Sequence, residues 1–106
     1  MGRNFVIFTT CPNKKCAEKI STILVKKKLV ACVNIISNVK SIYWWEEKIE
    51  KSSEVLLIMK TKEKLFSSIK EEILKNHPYK IPEIICLKIE KGNEKYLNWI
   101  EEVVGK

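Results

Sequence analysis

The stretch Ala31-Cys-Val-Asn-Ile-Ile-Ser-Asn-Val-Lys-Ser-Ile-Tyr-Trp-Trp-Glu-Glu-Lys-Ile-Glu-Lys-Ser-Ser-Glu-Val-Leu-Leu-Ile-Met-Lys-Thr61 decides the fold. β-Branched and aromatic residues fill both ends and a charged cluster interrupts them. That pattern predicts two long strands joined by a polar turn near residues 46–49. A first strand over residues 31–45 would span roughly 50 Å at about 3.3 Å per residue. A compact domain of about 100 residues has a radius of gyration near 13 Å, so the hairpin is expected to bend or to overhang the body. An overhang would expose Tyr43, Trp44 and Trp45, rings that each take about 150–250 Å² out of water when buried. Such an area calls for a covering partner, and the simplest is another copy of the chain.

Upstream, Phe5-Val6-Ile7-Phe8-Thr9-Thr10 suits a central strand. Cys11-Pro12-Asn13 breaks it, and Pro12 fits the first turn of a helix. Over residues 13–28 the apolar Cys16, Ala17, Ile20, Ile23 and Leu24 form a stripe, with lysines and Glu18 opposite. Downstream, the nearly apolar run within 54–61 places the second hairpin strand centrally, and Thr61 reads as the N-cap of the next helix. There Leu65, Phe66, Ile69 and Ile73 recur at helical spacing up to Asn76. Pro78 and Pro82 stop that helix and make 77–82 a loop. Residues 83–89 form the fourth strand. Asn93 then caps a short amphipathic helix carrying Tyr96, Leu97, Ile100, Val103 and Val104. The order β-α-β-β-α-β plus a terminal helix predicts an α+β, ferredoxin-like domain, an antiparallel sheet with two helices on one face. Residues 1–106 make one such domain. The sheet's second face needs cover that a short last helix cannot wholly supply, which again points to self-assembly.

Composition narrows the function. A chain of 106 residues with 45% hydrophobic content forms one core without disulfide or metal staples. No apolar run approaches the 18 or more residues that cross a bilayer, and no signal peptide precedes the first strand, so a soluble cytoplasmic protein without a membrane partner is expected. The net charge of +7 comes from lysines interspersed with glutamates. Arg3 is the only arginine, and no nucleic-acid partner is expected from a surface so poor in phosphate and guanine readers. Four cysteines match neither a CxxC pair nor a zinc-finger spacing, which argues against a disulfide framework.

There is no Gly-rich phosphate loop, no aspartate and a single histidine, His77. No catalytic constellation is complete, so the chain is expected to be non-enzymatic with no obligatory cofactor. Two sets of side chains remain. Cys11 and Cys16 with His77 form the first. Cys11 lies beside a helix N-terminus, whose dipole lowers a thiol pKa, and a thiolate with an imidazole is a donor set for copper or another divalent cation. Against this, Cys16 falls on the buried stripe and Cys11 reads as a passive turn residue, and that is the favoured reading because no set of metal ligands is complete. The second set is Tyr43, Trp45, Glu54, Lys60, His77 and Tyr79. It places polar groups among apolar strands, which suits a ligand pocket or a hydrogen-bond network between subunits.

Five ordered blocks carry a resemblance. They are Leu29-Val-Ala-Cys-Val-Asn-Ile-Ile36, Ser41-Ile-Tyr-Trp-Trp-Glu46, Glu54-Val-Leu-Leu-Ile-Met-Lys-Thr61, His77-Pro-Tyr-Lys-Ile-Pro-Glu-Ile84 and Tyr96-Leu-Asn-Trp-Ile100. Together they resemble the CutA divalent-cation tolerance family over nearly the whole chain. The resemblance implies a ferredoxin-like homotrimer knitted by the long hairpins and the C-terminal segment, and a role in tolerance of copper and other divalent metals. In some members copper is held by a first-strand cysteine and by histidines before the Pro-Tyr. Here the cysteine position is Thr9, the first histidine position is Asn76, and only His77 matches. Glu47 stands where the family commonly has Gly in the hairpin turn. Two other roles fit such a trimer: a small-ligand-binding or signalling protein like the nitrogen-regulatory trimers, or a scaffold for an unknown protein partner.

Overall fold

The computed structural model describes residues 4–105. The chain forms β1 (Asn4–Cys11), α1 (Lys14–Lys26), β2 (Cys32–Trp45), β3 (Lys48–Lys62), a 3-10 turn at Glu63–Leu65, α2 (Phe66–Asn76), β4 (Ile85–Lys88) and α3 (Glu94–Val103). The four strands lie in the order β2-β3-β1-β4, and every neighbouring pair is antiparallel. This is the predicted ferredoxin-like arrangement.

Alternation along the strands sorts the sheet into two faces. Ile7, Thr9 and Cys11 of β1 stand opposite Met59, Leu57 and Val55 of β3. These six residues are at most 5% exposed, and the apolar ones form one core with Ala17, Ile20 and Leu24 of α1 and Ile69 and Ile73 of α2. α1 begins where the Asn13 side chain accepts the Cys16 amide at 2.8 Å. That cap satisfies a donor that would otherwise be unpaired. Pro12 precedes the cap instead of entering the first turn as expected, because Asn13 takes the capping position. The helix closes with Lys28 in the left-handed region (φ 58), the Leu29 amide reaching Leu24 O and the Lys28 amide reaching Val25 O. This is the glycine-favouring Schellman closure, here carried by a lysine.

The hairpin turn is tighter than expected. Only Glu46 and Glu47 lie outside the strands, and pairing resumes at Trp45↔Lys48, so β3 starts at residue 48 and not near 54. Both glutamates have positive φ, 49° and 65°, the signature of a two-residue type I′ turn whose twist matches that of the strands. The charge of residues 46–51 disguised a strand, because an arm beyond the body presents both its faces to solvent. Further along, Ile36↔Leu56 is followed by Val39↔Glu54, so Ser37 and Asn38 together oppose Val55. Asn38, at φ 62, supplies the left-handed residue of this bulge. The Cα extents of 44 × 25 × 22 Å reflect the overhanging arm. Since a left-handed L-residue costs about 1–2 kcal/mol, Glu47→Gly should raise the unfolding free energy by about 1 kcal/mol, measured by guanidinium titration. An unchanged or lowered midpoint would show that the Glu47 side chain contributes something the backbone geometry does not reveal.

Two further boundaries differ. Thr61 is not a helix cap: it lies fully buried in β3, and its hydroxyl donates to Leu29 O at 2.6 Å. β3 runs on to pair Lys62 with Asn4, and the chain enters α2 through the 3-10 turn, which has no side-chain cap. β4 covers only Ile85–Lys88, because Pro82 delays pairing. Asn93 caps α3 as expected, accepting the Lys95 amide at 3.1 Å.

The strand registers place Phe8, Ile36, Leu56, Ile58, Ile85 and Leu87 on the face away from α1 and α2. α3 reaches one end of the sheet: Asn4 Nδ2 donates to Leu97 O at 3.1 Å, Lys62 pairs with Glu101 at 3.5 Å, and Ile100 and Val104 are fully buried. Elsewhere the second face stays open, with Ile85 and Leu87 more than half exposed.

Candidate functional site

The overhanging arm and the segment after α2 enclose a cleft of about 760 Å³. Across the turn, Tyr43 faces Glu50 and Ser41 faces Ser52. Glu54 is next but one along β3 on the same face, since strand side chains alternate. Ser52 Oγ lies 3.4 Å from the Tyr43 hydroxyl. Tyr79, Lys80, Ile81 and Glu83 form the opposite wall, with Thr10 at the end of β1. Trp44, Trp45 and Ile42 complete the rim.

Glu54 is the most buried carboxylate in the cleft, at 7% exposure, and its Oε2 accepts the Tyr79 hydroxyl at 2.7 Å. Burial, then the Glu54 carboxylate at its proton, push the Tyr79 hydroxyl well above the ordinary phenol range. Tyr79 stays a neutral donor and holds Glu54 in place. His77 fixes Tyr79 in turn. Its Nδ1 accepts the Tyr79 amide at 3.1 Å, so Nε2 carries the proton and donates to Thr10 O at 2.7 Å. The two rings lie 4.7 Å apart. His77 therefore ties the loop to β1 and works behind the cleft, outside its lining.

Of the residues singled out by sequence, Tyr43, Trp45, Glu54 and Tyr79 come together here. Lys60 does not: six residues further along β3, about 20 Å away, its ammonium donates to Asn34 Oδ1. Sequence reasoning missed Glu50, Lys80, Ile81 and Glu83. Glu50 became recognisable only with the two-residue turn, which sets it opposite Tyr43. The other three lie in a stretch without periodicity.

Cys11 contradicts the expectation of a lowered thiol pKa. It belongs to β1, is fully buried against the helices, and burial, then the neighbouring Cys16, push its thiol up to about 12. Native protein at pH 8 should therefore leave Cys11 unalkylated by iodoacetamide while unfolded protein reacts, as read by peptide mass spectrometry. Stability drawn from the neutral buried thiol is intact below the ordinary thiol pKa of about 9 and is lost as pH rises toward 12.

The side chains at the positions implied for copper do not fit a metal ion as arranged. Thr9 is buried on the helix-facing side of β1, and Asn76 Nδ2 donates to Glu72 O at 2.8 Å. Both His77 nitrogens are engaged. Among the described residues no group of three or more His, Cys or Glu side chains converges for a metal. No helix among them is long and apolar enough to cross a membrane.

Comparison with known proteins gives a consistent result. The family described as CutA1 divalent ion tolerance protein matches residues 5–103. Protein CutA of Mus musculus is 46% identical over 91% of this chain, which spans 54% of that protein. Divalent-cation tolerance protein CutA of Pyrococcus horikoshii is 42% identical over 95% of this chain and 98% of its own length. The chain thus spans about half the length of its plant and mammalian relatives and nearly all of the archaeal one. The crystal structure of CutA1 from Oryza sativa superposes with a TM-score of 0.95 at 39% identity, covering 98% of this chain and 95% of that one.

Proposed function

The chain belongs to the CutA1 divalent ion tolerance family, and from that premise we propose that it acts in cellular tolerance of divalent metal ions as a non-enzymatic homotrimer. The observation that carries the metal-tolerance role is the family match over residues 5–103. The trimer is supported by the open apolar face and by the aromatic arm, which together leave Ile85, Leu87, Trp44 and Ile42 more than half exposed in the single chain. Surfaces of that kind are covered by partners, and closed symmetry lets one patch serve every copy.

Tolerance in this reading comes from the assembled protein acting on a cellular response, because the described residues offer no ready-made metal centre. Growth of a host lacking its own relative, on graded copper with and without this gene, tests the role. Unchanged copper sensitivity removes it. Calorimetric copper titration of wild type and His77→Ala then separates direct binding from an indirect response: a saturable isotherm that His77→Ala abolishes would restore His77 as a ligand. Sedimentation at micromolar concentration tests the trimer, and a monomer there rejects it.

The cleft favours a second reading, a small-ligand-binding or signalling trimer. A pocket between about 300 and 1,000 Å³ with apolar walls and a few placed polar groups is what small-molecule sites look like.

A further inference from the structure

We propose that the cleft between the hairpin arm and residues 79–83 binds a small organic cation, an ammonium or guanidinium on a flat apolar body, with Glu54 as its anchoring carboxylate. The inference deepens the small-ligand reading and is independent of the metal-tolerance role.

Three observations carry it. The first is local charge. The whole chain is strongly basic at +7, yet the cleft is lined by three carboxylates, Glu50, Glu54 and Glu83, against the one ammonium of Lys80. A pocket whose sign opposes that of the molecule around it concentrates cations where the rest of the surface repels them. The second is the state of Glu54. It is more than nine-tenths buried, and Tyr79 donates to Oε2. Oε1 has no hydrogen-bond partner among the described residues, although the side chain lines the cleft. A carboxylate held so by Tyr79, with one oxygen unpaired at the cleft, is an acceptor for a charged N–H donor. The third is the wall. Tyr43, Trp45 and Tyr79 line the cleft with aromatic rings, which attract cations and cover flat apolar bodies.

A bare metal ion matches these features less well. The carboxylates are not gathered into a group of three that could hold one, and the volume far exceeds an ion with its ligands. An organic anion meets the wrong sign. The free Glu54 oxygen also distinguishes among cations: a primary ammonium or guanidinium can donate to it, and a quaternary ammonium cannot.

The test uses the full chain in its native assembly state and three matched probes, benzamidine, benzamide and benzoate, titrated by calorimetry. Benzamidine should bind saturably at one per chain. Benzamide should bind at least tenfold more weakly, and benzoate not measurably. Glu54→Gln should weaken benzamidine about tenfold or more, the usual range for losing a charge-assisted hydrogen bond. Lys80→Glu, an exposed change, should tighten benzamidine without altering the fold and gives a readout even where Glu54→Gln fails to fold. Equal binding of all three probes overturns the proposal. So does absence of benzamidine binding, or indifference of its affinity to both substitutions. Because binding is read on purified protein without metal, these outcomes leave the growth test on copper unaffected. A specific non-cationic metabolite saturating the same cleft would instead keep the small-ligand reading and remove the cation.

Discussion

On the proposed trimer, the double substitution Ile85→Glu with Leu87→Glu should leave the protein monomeric at micromolar concentration where the wild type is assembled. Both side chains project from β4 onto the face away from α1 and α2, opposite Phe8 and Val6, and they are 52% and 59% exposed in the single chain. New carboxylates there meet water in the monomer, so the fold itself loses little. Against a neighbouring copy each would be an unpaired charge in an apolar contact, which costs several kcal/mol per group. Repeated symmetrically, that penalty exceeds what an interface of ordinary size can absorb. Analytical ultracentrifugation reads the mass, and circular dichroism confirms that the monomer is folded. Thr22→Glu on the solvent side of α1 is the control and should leave the mass unchanged. Retention of the full assembly by the double variant would place the contact elsewhere and reject this face as the interface.

Leu57→Ala should lower the unfolding free energy by about 2–5 kcal/mol, the range for emptying a packed aliphatic site. Leu57 is fully buried in β3 opposite Thr9, in the core shared with both helices. β1 and β3 around it are held by paired backbone, which limits collapse into the space. Domains of this size are stable by about 5–15 kcal/mol, so one substitution removes a large fraction of the total. Guanidinium midpoints at one fixed protein concentration check the value, because the proposed assembly would add stability that depends on concentration. The exposed Leu74→Ala on α2, 49% accessible, should change the midpoint far less. Equal effects at the two positions would mean that the sheet–helix interface is not where the stability resides.

Much of this architecture could be read before any coordinates. The nearly continuous apolar run of residues 55–59 and the helical stripe from Cys16 to Leu24 both record surfaces that must be dry, and hydrophobic pattern reports dryness directly. The outer half of the hairpin was harder, because both faces of an overhanging arm are wet in the single chain. Lys48, Glu50 and Lys51 therefore look like loop while pairing as strand. Thr61 carried a capping residue's chemistry but spent its hydroxyl on Leu29 O, a tertiary partner no local pattern announces. At the site, Tyr43 and Glu54 were visible as polar groups in apolar runs. Lys60 had the same local signature and lies at the far end of the strand, so the signature finds buried-strand polar groups without sorting them by place. Cys11 was misjudged for a related reason. Proximity to a helix start is a sequence fact, whereas full desolvation depends on α1 folding back over the sheet.

The strand order β2-β3-β1-β4 leaves β2 on the outside over its fourteen residues, Cys32–Trp45. Along that margin lies a row of amides and carbonyls ready for another strand, guarded by a single charge, Lys40, and by the kink at Asn38. A newly made chain therefore faces a race. Ordered association of a few copies, as in the proposed trimer, would close the margin, while indiscriminate strand-on-strand addition would extend it without limit. The two routes differ in how steeply they depend on concentration, so slow synthesis or dilute refolding favours the closed product. The same backbone edge that would serve the proposed trimer makes crowding before assembly the chain's main hazard.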